Sequence, residues 1–493
     1  MPDSGCRMQN SSRLVGRCSA SIWKQLYLCS HKKFRFNSVE DVKRIWNCMC
    51  RKIDRENMKR LLLVGLFSFL FFSIKAQVIT LEEAIGTALK NNYDIQLARI
   101  DSTSAALDRS YVFAAFIPQF NASIGKTWNT NAQNVKLQNG TERNASGIKS
   151  NNLNASVNMN WLLFDGLRMF ATKEKVEQLE VLGGLTLKST ITESIASLIN
   201  TYYNIVQAKQ SLKAVEEQMT ISSERVTLAD KKLSVGLGTR QELLQAQLDL
   251  NAQRAARIRQ LTSIDQLKQL LNQLMAVDPK TYYDVLDSIP INMNMTLEEA
   301  LAAAQVNNPS ILIARKNIDI ANLTLKEYKG DFFPTVSFNS AYNFTRLNNS
   351  TVVNPASPLF SQNKGLNYGF TASIPILNNF NTRRLVRQAK LGIQRSEVAL
   401  SSQNLQVELA IYYAFKSYEF QKQSLQLEES NIQLAKDNVN IAFERFRLGV
   451  STYLELRDAQ ISLADAYNRL IDARYNTKVA ETALLRLKGD LVR

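Results

Sequence analysis

The chain has 493 residues and a formal net charge of +16, from 60 lysines and arginines against 44 aspartates and glutamates. All five cysteines and the only histidine precede Met58, so the remaining sequence offers no disulfide, no Cys/His zinc site and no Cys–His or Ser–His catalytic pair. Residues 1–76 hold most of the excess positive charge, so residues 77–493 carry a net charge of only about +6. This removes the main support for nucleic-acid binding. We therefore expect neither an enzyme nor a cofactor.

An apolar segment follows Met58. Residues 58–76 read MKRLLLVGLFSFLFFSIKA, with basic residues first, an apolar stretch next and a small residue, Ala76, last. This order is typical of a secretory signal peptide cleaved after Ala76, and it makes Met58 the expected initiator. A transmembrane anchor is the alternative, but the apolar stretch is shorter than the roughly 20 residues that span a bilayer. Residues 1–57 are then interpreted as an upstream extension translated in error, with an unusual leader as the alternative.

The sequence after residue 76 contains an internal repeat. Thr80–Arg99 reads TLEEAIGTALKNNYDIQLAR, and Thr296–Arg315 reads TLEEALAAAQVNNPSILIAR. Two units, at residues 77–278 and 296–493, are therefore predicted, joined by a proline-containing linker at 279–295. Each unit is expected to run helix, strand, strand, long helix, turn, helix. The opening threonine of each unit is an expected helix cap, because Thr followed by acidic residues suits a helix N-terminus.

One strand pair is predicted in each unit. Leu153–Trp161 alternates apolar and polar residues and is paired with Phe120–Trp128, and Leu366–Ile374 is paired in the same way with Val336–Phe344. Period-two alternation gives every strand one apolar face. In a soluble sandwich that face would meet a second sheet, whereas in an outer-membrane barrel it would meet lipid and the polar face a watery lumen. Small polar residues on one face and aromatic residues near the strand ends favour the barrel.

The segments between the paired strands, residues 129–152 and 346–364, are rich in Asn, Ser and Thr and are predicted to be solvated outer loops. The barrel also predicts an oligomer. Four strands cannot close a barrel, and lipid does not tolerate an open sheet edge. Three copies would supply about twelve strands, an even number within the known range, so we expect a homotrimer.

Two proline-free runs of helix-favouring residues are predicted to form very long helices, from about Leu167 to Leu233 and from about Thr382 to Leu448. A rise of about 1.5 Å per residue makes each roughly 100 Å long. Their composition is typical of coiled coils, and return helices are expected to pack back against them as far as about Met275 and Leu487.

A turn is predicted after each long helix. LSVGLGTRQELLQAQ at residues 233–247 is repeated as FRLGVSTYLELRDAQ at residues 446–460. Gly236 and Gly238 can adopt the positive φ that ends a helix, and Thr239 can cap the next helix. A loop between two core helices is the simplest interpretation of one such turn, but the repetition indicates a shared role. The two turns consist of Val235, Gly236, Leu237, Gly238 and Thr239, and of Leu448, Gly449, Val450, Ser451 and Thr452.

These residues resemble the outer-membrane efflux duct, or TolC, family. The resemblance covers Thr80 to about Lys488 and is most specific in the repeated TLEEA openings, in LLFDG at 162–166 and in VGLGT at 235–239. It implies an α+β membrane protein, a trimer whose roughly twelve strands form one outer-membrane β-barrel with four strands per chain. A long α-helical coiled-coil tunnel would continue the barrel across the periplasm. The turns would lie at its gated far end and meet the periplasmic adaptor of an inner-membrane pump.

The resemblance also implies a pore gate. The family carries two acidic residues facing the pore just past the second turn, and the matching positions here are Glu455 and Asp458, which share one helix face. The first unit has Glu242 and Gln245 at the equivalent positions, so only one of them is acidic. An ordinary solvated helix face is the alternative interpretation of Glu455 and Asp458, but a ring around the pore is favoured.

Two functions follow from different classes of protein. The favoured one is the outer-membrane duct of a tripartite efflux or type I secretion system, which passively exports what a pump and adaptor deliver. The alternative is a periplasmic coiled-coil scaffold that is anchored in the outer membrane and does not transport. The scaffold explains the helices but neither the signal peptide nor the strands. Conductance in planar bilayers, together with partition into the outer membrane, separates the two.

Overall fold

The computed structural model describes residues 77–138, 140–354 and 357–491. The upstream extension at 1–57 and the signal peptide at 58–76 lie outside these residues and stay predictions. Within the described part of the chain, no helix has both the length and the hydropathy that crossing a membrane requires.

Both halves of the described chain follow the same order of elements. The helices are α1 (Leu81–Asn91), α2 (Tyr93–Tyr111), α3 (Arg168–Ser234), α4 (Arg240–Met275), α5 (Leu297–Asn307), α6 (Pro309–Gly330), α7 (Asn381–Arg447) and α8 (Tyr453–Lys488), with a 3-10 helix at Val112–Phe116. The strands are β1 (Gln77–Ile79), β2 (Gln119–Lys136), β3 (Glu142–Asp165), β4 (Tyr283–Val285), β5 (Thr335–Asn349) and β6 (Phe360–Ser373). The predicted order is observed, except that the first helix of each half is split in two and short strands are added.

The split is caused by the second asparagine of the repeated Asn-Asn pair. The side-chain oxygen of Asn92 accepts hydrogen bonds from the amides of Asp94 and Ile95, at 2.9 and 3.1 Å, and so caps α2. Its side-chain nitrogen donates to the carbonyl of Leu274 at 2.8 Å, which ties this break to the end of α4. Asn308 repeats the arrangement between α5 and α6 and donates to the carbonyl of Leu487 at the end of α8.

The predicted threonine caps differ between the halves. Thr80 forms a full capping box with Glu83, so the prediction is confirmed there. It is wrong for Thr296, whose side chain makes no capping hydrogen bond. Glu299, which would complete that capping box, instead accepts a hydrogen bond from Lys488 at 2.5 Å. The Glu299 side chain therefore contacts the last helix rather than the start of its own helix.

The four long strands form one antiparallel sheet in the order β2-β3-β5-β6. The predicted strand pairs are present in register, with Phe120 opposite Met159 and Phe338 opposite Phe370. The central pair, β3 with β5, joins the two halves, as Val157 opposite Tyr342 shows. Because paired residues point to the same side, the predicted apolar residues of all four strands share one face.

The two segments predicted to be outer loops are partly taken up by strands. Most of residues 129–152 belongs to β2 and β3, which reach 18 and 24 residues, and β5 and β6 take up residues 346–349 and 360–364 of the second segment. The prediction from Asn, Ser and Thr content is therefore wrong for most of residues 129–152 and for the two ends of residues 346–364. Cross-strand pairing extends through them, for example between Thr130 and Lys149, and the side chains of Asn348 and Asn151 are hydrogen bonded at 3.2 Å. Polar residues fit a ladder whose faces are both solvated.

The segment predicted as a linker contains a strand. Tyr283–Val285 pairs in parallel with Gln77–Ile79 at the start of the described chain. The hydroxyl of Tyr202 in α3 donates to the carbonyl of Ile79 and accepts from the amide of Leu286, at 3.0 and 3.2 Å. The linker is therefore part of the core, which the isolated sequence did not indicate.

The long helices carry the rest of the fold. α3 and α7 span 67 residues each, or about 100 Å at about 1.5 Å per residue. α4 packs along α3, and α8 packs along both α7 and α3. The largest buried cluster includes Leu198, Ile205 and Leu271, where α1, the two short strands and α4 meet α3. The largest cluster thus lies midway along α3, and smaller buried clusters follow α7 and α8 toward the second turn, around Leu425 and Val439.

Candidate functional site

The two predicted turns close with the same hydrogen-bonding pattern. The amide of Gly236 donates to the carbonyl of Leu233 at 3.1 Å, and the amide of Leu237 donates to that of Lys232 at 2.9 Å. Gly449 and Val450 repeat both bonds in the second turn, at 3.2 and 3.0 Å. This is the Schellman closure, which places one residue at positive φ, and Gly236 and Gly449 have φ of 75° and 76°. The helix-ending conformation predicted for Gly236 is confirmed, and Gly449, its counterpart in the repeat, adopts the same conformation.

Gly238 has a different role from the one predicted. Its φ is not positive, so the prediction that it ends the helix by a left-handed conformation is wrong. A Cβ on Gly238 would lie 2.9 Å from the Cβ of Lys232 and 3.1 Å from the amide nitrogen of Leu233. The first turn therefore uses this glycine for close approach to the end of α3. The second turn has Ser451 at the equivalent position.

Each turn leads directly into a capped helix. The hydroxyl of Thr239 accepts a hydrogen bond from the amide of Glu242 at 3.2 Å, and that of Thr452 accepts one from the amide of Glu455 at 3.3 Å. These caps match the prediction. They fix the direction in which α4 and α8 leave the turns.

Apolar side chains cover the outside of both turns. Leu237 is 81% exposed, and its counterpart Val450 is 65% exposed. The exposed residues of this kind at the two turns are Val235, Leu237, Leu448, Val450 and Leu454. A cluster of apolar side chains at the end of a helical rod is characteristic of a contact surface.

The ends of α3 and α7 that lead into the two turns contact each other. The ammonium group of Lys232, near the end of α3, donates to the carbonyl of Phe446 at 2.8 Å and lies 3.8 Å from the centre of the Phe446 ring. A cation is favourable at the C-terminal end of α7, where carbonyls lack helical partners. The structure therefore brings the two predicted turns together into one tip.

The three predicted gate acids lie beside the tip but differ in their contacts. Asp458 is exposed, and no side-chain partner contacts it within the described residues. Glu455 is also exposed, and its carboxylate lies 3.9 Å from the guanidinium of Arg445 and 3.3 Å from the hydroxyl of Thr452. Glu242 accepts from the amide of Thr239 at 3.4 Å as part of a capping box. Of the three, Asp458 has the carboxylate most available to an ion.

A buried polar network behind the tip was not predicted from the sequence. Arg225 of α3 is 1% exposed and donates to Asp249 of α4 at 2.5 Å and to Gln460 of α8 at 2.6 Å. The hydroxyl of Tyr453, the first residue of α8, donates to the same Asp249 carboxylate at 2.8 Å. The side chain of Gln245 donates to its other oxygen at 3.0 Å. The network thus joins α3, α4 and α8 through one carboxylate.

The network determines the ionisation of its members. Burial alone would raise the pKa of Asp249, but hydrogen bonds from Tyr453, Gln245 and Arg225 outweigh it and lower that pKa. Burial and the adjacent Asp249 raise the pKa of Tyr453 to about 12. At neutral pH the carboxylate is therefore ionised and the phenol is protonated, which is the combination that the hydrogen bond requires. The available sequence signal was Arg225 among the apolar residues of α3, and an arginine in such a position is also common on solvated helix faces.

Comparison with known proteins agrees with this architecture. Residues 84–277 and 300–490 match the family described as outer membrane efflux protein. The protein CyaE of Bordetella pertussis is 26% identical over 422 residues, covering 84% of this chain and 85% of CyaE. Outer membrane protein TolC of Escherichia coli K12 is 22% identical over 447 residues, covering 88% of this chain and 87% of TolC.

A solved structure gives the same result for the fold. The Campylobacter jejuni CmeC outer membrane channel superimposes with a TM-score of 0.69 at 19% identity, over 83% of this chain and 85% of CmeC. The family match covers both halves of the chain, from α1 to the end of α8. The protein belongs to the outer membrane efflux protein family.

Proposed function

We propose that the protein is the outer-membrane channel of a tripartite efflux or type I secretion system and passively exports what an inner-membrane pump delivers. The observation that carries the proposal is one sheet with an apolar and a polar face, continued by paired helices of about 100 Å. A lipid-facing apolar surface and a polar interior are the two requirements of a water-filled barrel. The helices supply the length that a conduit across the periplasm requires.

The open sheet supports a homotrimer. β2 and β6 are the two edges, and within the described residues each is paired on one side only. Unpaired backbone groups are strongly unfavourable in lipid, so each edge needs a partner strand. β2 of one copy beside β6 of the next satisfies both edges at once and closes about twelve strands from three chains.

The helices support the same assembly. α6 lies between α3 and α7, whereas α2, its counterpart in the first half, packs along α3 only. The other side of α2 exposes Leu97, Ile100 and Leu107, which are 61%, 63% and 56% accessible. The equivalent neighbour for that side is α7 of a second copy, whose exposed residues include Leu391, Val398 and Leu405. Burying these apolar surfaces stabilises the trimer by the hydrophobic effect.

The tip is proposed to bind the periplasmic adaptor and to contain the gate. Its exposed apolar residues suit a helical partner, and in a trimer three pairs of turns would surround one opening. Glu455 and Asp458 would then form an acidic ring, with Glu242 beside it, and would favour cations at the constriction.

Single-channel recording tests the proposal against the scaffold alternative. Purified protein added to a planar bilayer should produce discrete conductance steps, and native mass spectrometry in detergent should give the mass of three chains. A scaffold that does not transport would insert without conducting. A stable monomer in lipid would contradict the barrel.

A further inference from the structure

The apolar face of the sheet ends in a group of cations on the side away from the helices. The strand register places Ile124, Ala155, Phe344 and Lys364 in one row and Lys126, Leu153, Arg346 and Gln362 in the next. Residues in a row share a face, so Lys126, Arg346 and Lys364 lie together on the face that carries the apolar residues. We call these three residues the basic band.

The basic band has no counter-charge in the described part of the chain. All three side chains are exposed, and none forms an ion pair there. The two carboxylates of the four strands lie at opposite ends of the sheet: Glu142 is paired with Lys136 at 3.0 Å, and Asp165 accepts from the amide of Met169 at 3.1 Å. The cations therefore face outward without protein partners.

Each cation of the band lies against an aromatic ring. The ammonium groups of Lys126 and Lys364 are 5.0 and 5.8 Å from the ring centres of Trp128 and Phe344. The guanidinium of Arg346 is 5.4 Å from the centre of the Phe360 ring. Cation–π contacts hold the charges near the sheet, and girdles of aromatic residues flank the apolar surface of membrane barrels at the interfaces with water.

The basic band lies at the edge of the sheet's apolar face, on the side away from the helices. β3 rises about 26 Å, at about 3.3 Å per residue, from Trp161 near the helices to Leu153, which lies in the same row as Arg346 of the basic band. With the usual tilt of about 40°, this corresponds to roughly 20 Å along the membrane normal, close to the apolar height of about 25 Å in membrane barrels. The cations therefore lie at the depth of lipid headgroups.

A polar depression adjoins the band. It has a volume of about 380 Å³, and Trp128, Lys149, Asn151 and Asn348 are among the residues that line it. Trp128 and Asn151 lie directly opposite each other on β2 and β3. Lys149 adds a fourth cation, and Asn151 and Asn348 add side-chain amides. These groups lie one or two rows beyond the basic band, where the polar part of a lipid headgroup would lie.

We propose that the basic band binds the phosphate groups of an anionic glycolipid in the leaflet nearest the β2–β3 and β5–β6 hairpins. This rests on the proposed insertion of the sheet in the outer membrane. A guanidinium and two ammonium groups match phosphate by charge and by hydrogen bonding, and Arg346 can bind two phosphate oxygens at once. The depression accepts the sugar, and the apolar rows below the band contact the acyl chains. A zwitterionic lipid lacks the net charge that this site selects.

Lipid binding by the assembled protein in uncharged detergent tests the proposal. The probes are lipid A, which is a phosphorylated glycolipid, its dephosphorylated form, and phosphatidylcholine, with bound lipids counted by native mass spectrometry. The test variant is Arg346→Gln with Lys364→Gln, and the matched control is Lys136→Gln with Arg143→Gln, which removes the same charge near the β2–β3 hairpin. Two interfacial cations at about 1 kcal/mol each predict roughly 30-fold weaker lipid A binding for the test variant. The control should bind lipid A as the wild type does.

Each outcome supports or overturns the lipid site. Equal loss in the two variants would show that net charge alone attracts the lipid, and it would overturn the site. Equal binding of lipid A and its dephosphorylated form to the wild type would overturn it without any variant. Both variants are first tested for conductance in phosphatidylcholine bilayers. A wild type that neither inserts nor conducts would refute the proposed function itself, whereas conducting protein with unselective lipid binding would refute only the lipid site.

Discussion

The hydrogen bond between Tyr453 and Asp249 should control local opening of the tip. Tyr453→Phe removes one hydroxyl that donates to a carboxylate at 2.8 Å and keeps the ring, which lies 5.0 Å from the guanidinium carbon of Arg225. A hydrogen bond to a charged group contributes about 1.5–3 kcal/mol. Arg225 and Gln245 still bind the carboxylate in the variant, so we expect about 1.5–2 kcal/mol, or a 10- to 30-fold larger population of the opened state.

Hydrogen exchange of the backbone amides at the start of α8 measures this population. Protection across residues 454–459 should fall 10- to 30-fold in Tyr453→Phe. The matched control is Tyr467→Phe, which removes a hydroxyl that donates to Glu217 at 2.6 Å further along α8. It should leave protection at 454–459 unchanged.

A double-mutant cycle with Asp249→Asn then tests the assignment to this bond. If Tyr453→Phe reduces protection equally in the wild type and in Asp249→Asn, the two side chains are not coupled and the reasoning is wrong. A coupling energy of about 1 kcal/mol or more would support it.

Further predictions concern pH, the gate and the docking surface. Because folding lowers the pKa of Asp249, its carboxylate stabilises the fold fully above pH 3.8, the ordinary value, and this stabilisation is lost as the pH falls through the pKa of the folded state. Because folding raises the pKa of Tyr453, its phenol stabilises the fold fully below pH 10.0, and this stabilisation is lost as the pH rises through about 12. The difference in melting temperature between wild type and Tyr453→Phe should therefore be constant from about pH 5 to 9 and shrink outside that range, and a difference that varied steadily across neutral pH would contradict this. Glu455→Ala with Asp458→Ala should weaken cation selectivity and block by divalent cations in single-channel recordings, most clearly at low salt, where screening extends over about 30 Å at 0.01 M; unchanged selectivity would place the ring elsewhere. Gly236→Trp should reduce crosslinking to the adaptor, because it places a bulky side chain at the tip on a residue with a φ of 75°. The control Gly140→Trp places the same side chain at a φ of 82° in the β2–β3 hairpin and should leave crosslinking unchanged. Equal crosslinking in both variants would contradict docking at the turn.

Sequence determined the features whose physical cause is local. Gly236 and Gly449 end their helices because a Schellman closure needs a residue at positive φ within one turn of the helix end. Thr80 caps its helix through a glutamate three positions later, and alternation alone places Ala155, Val157 and Met159 on one face of their strand. Each of these signals is complete within a few residues, so no distant partner is needed to interpret it.

Tertiary structure decided the features that depend on residues far apart in the chain. Arg225 is an ordinary helical arginine until α4 and α8 bring Asp249 and Gln460 to it. The side chain of Glu299, which a capping box would turn toward Thr296, instead binds Lys488 of α8. The same holds for the strand in the linker, which exists only beside Gln77–Ile79. Local sequence gives backbone preferences of about 1 kcal/mol or less per residue, and a long-range charge or ladder partner outweighs them.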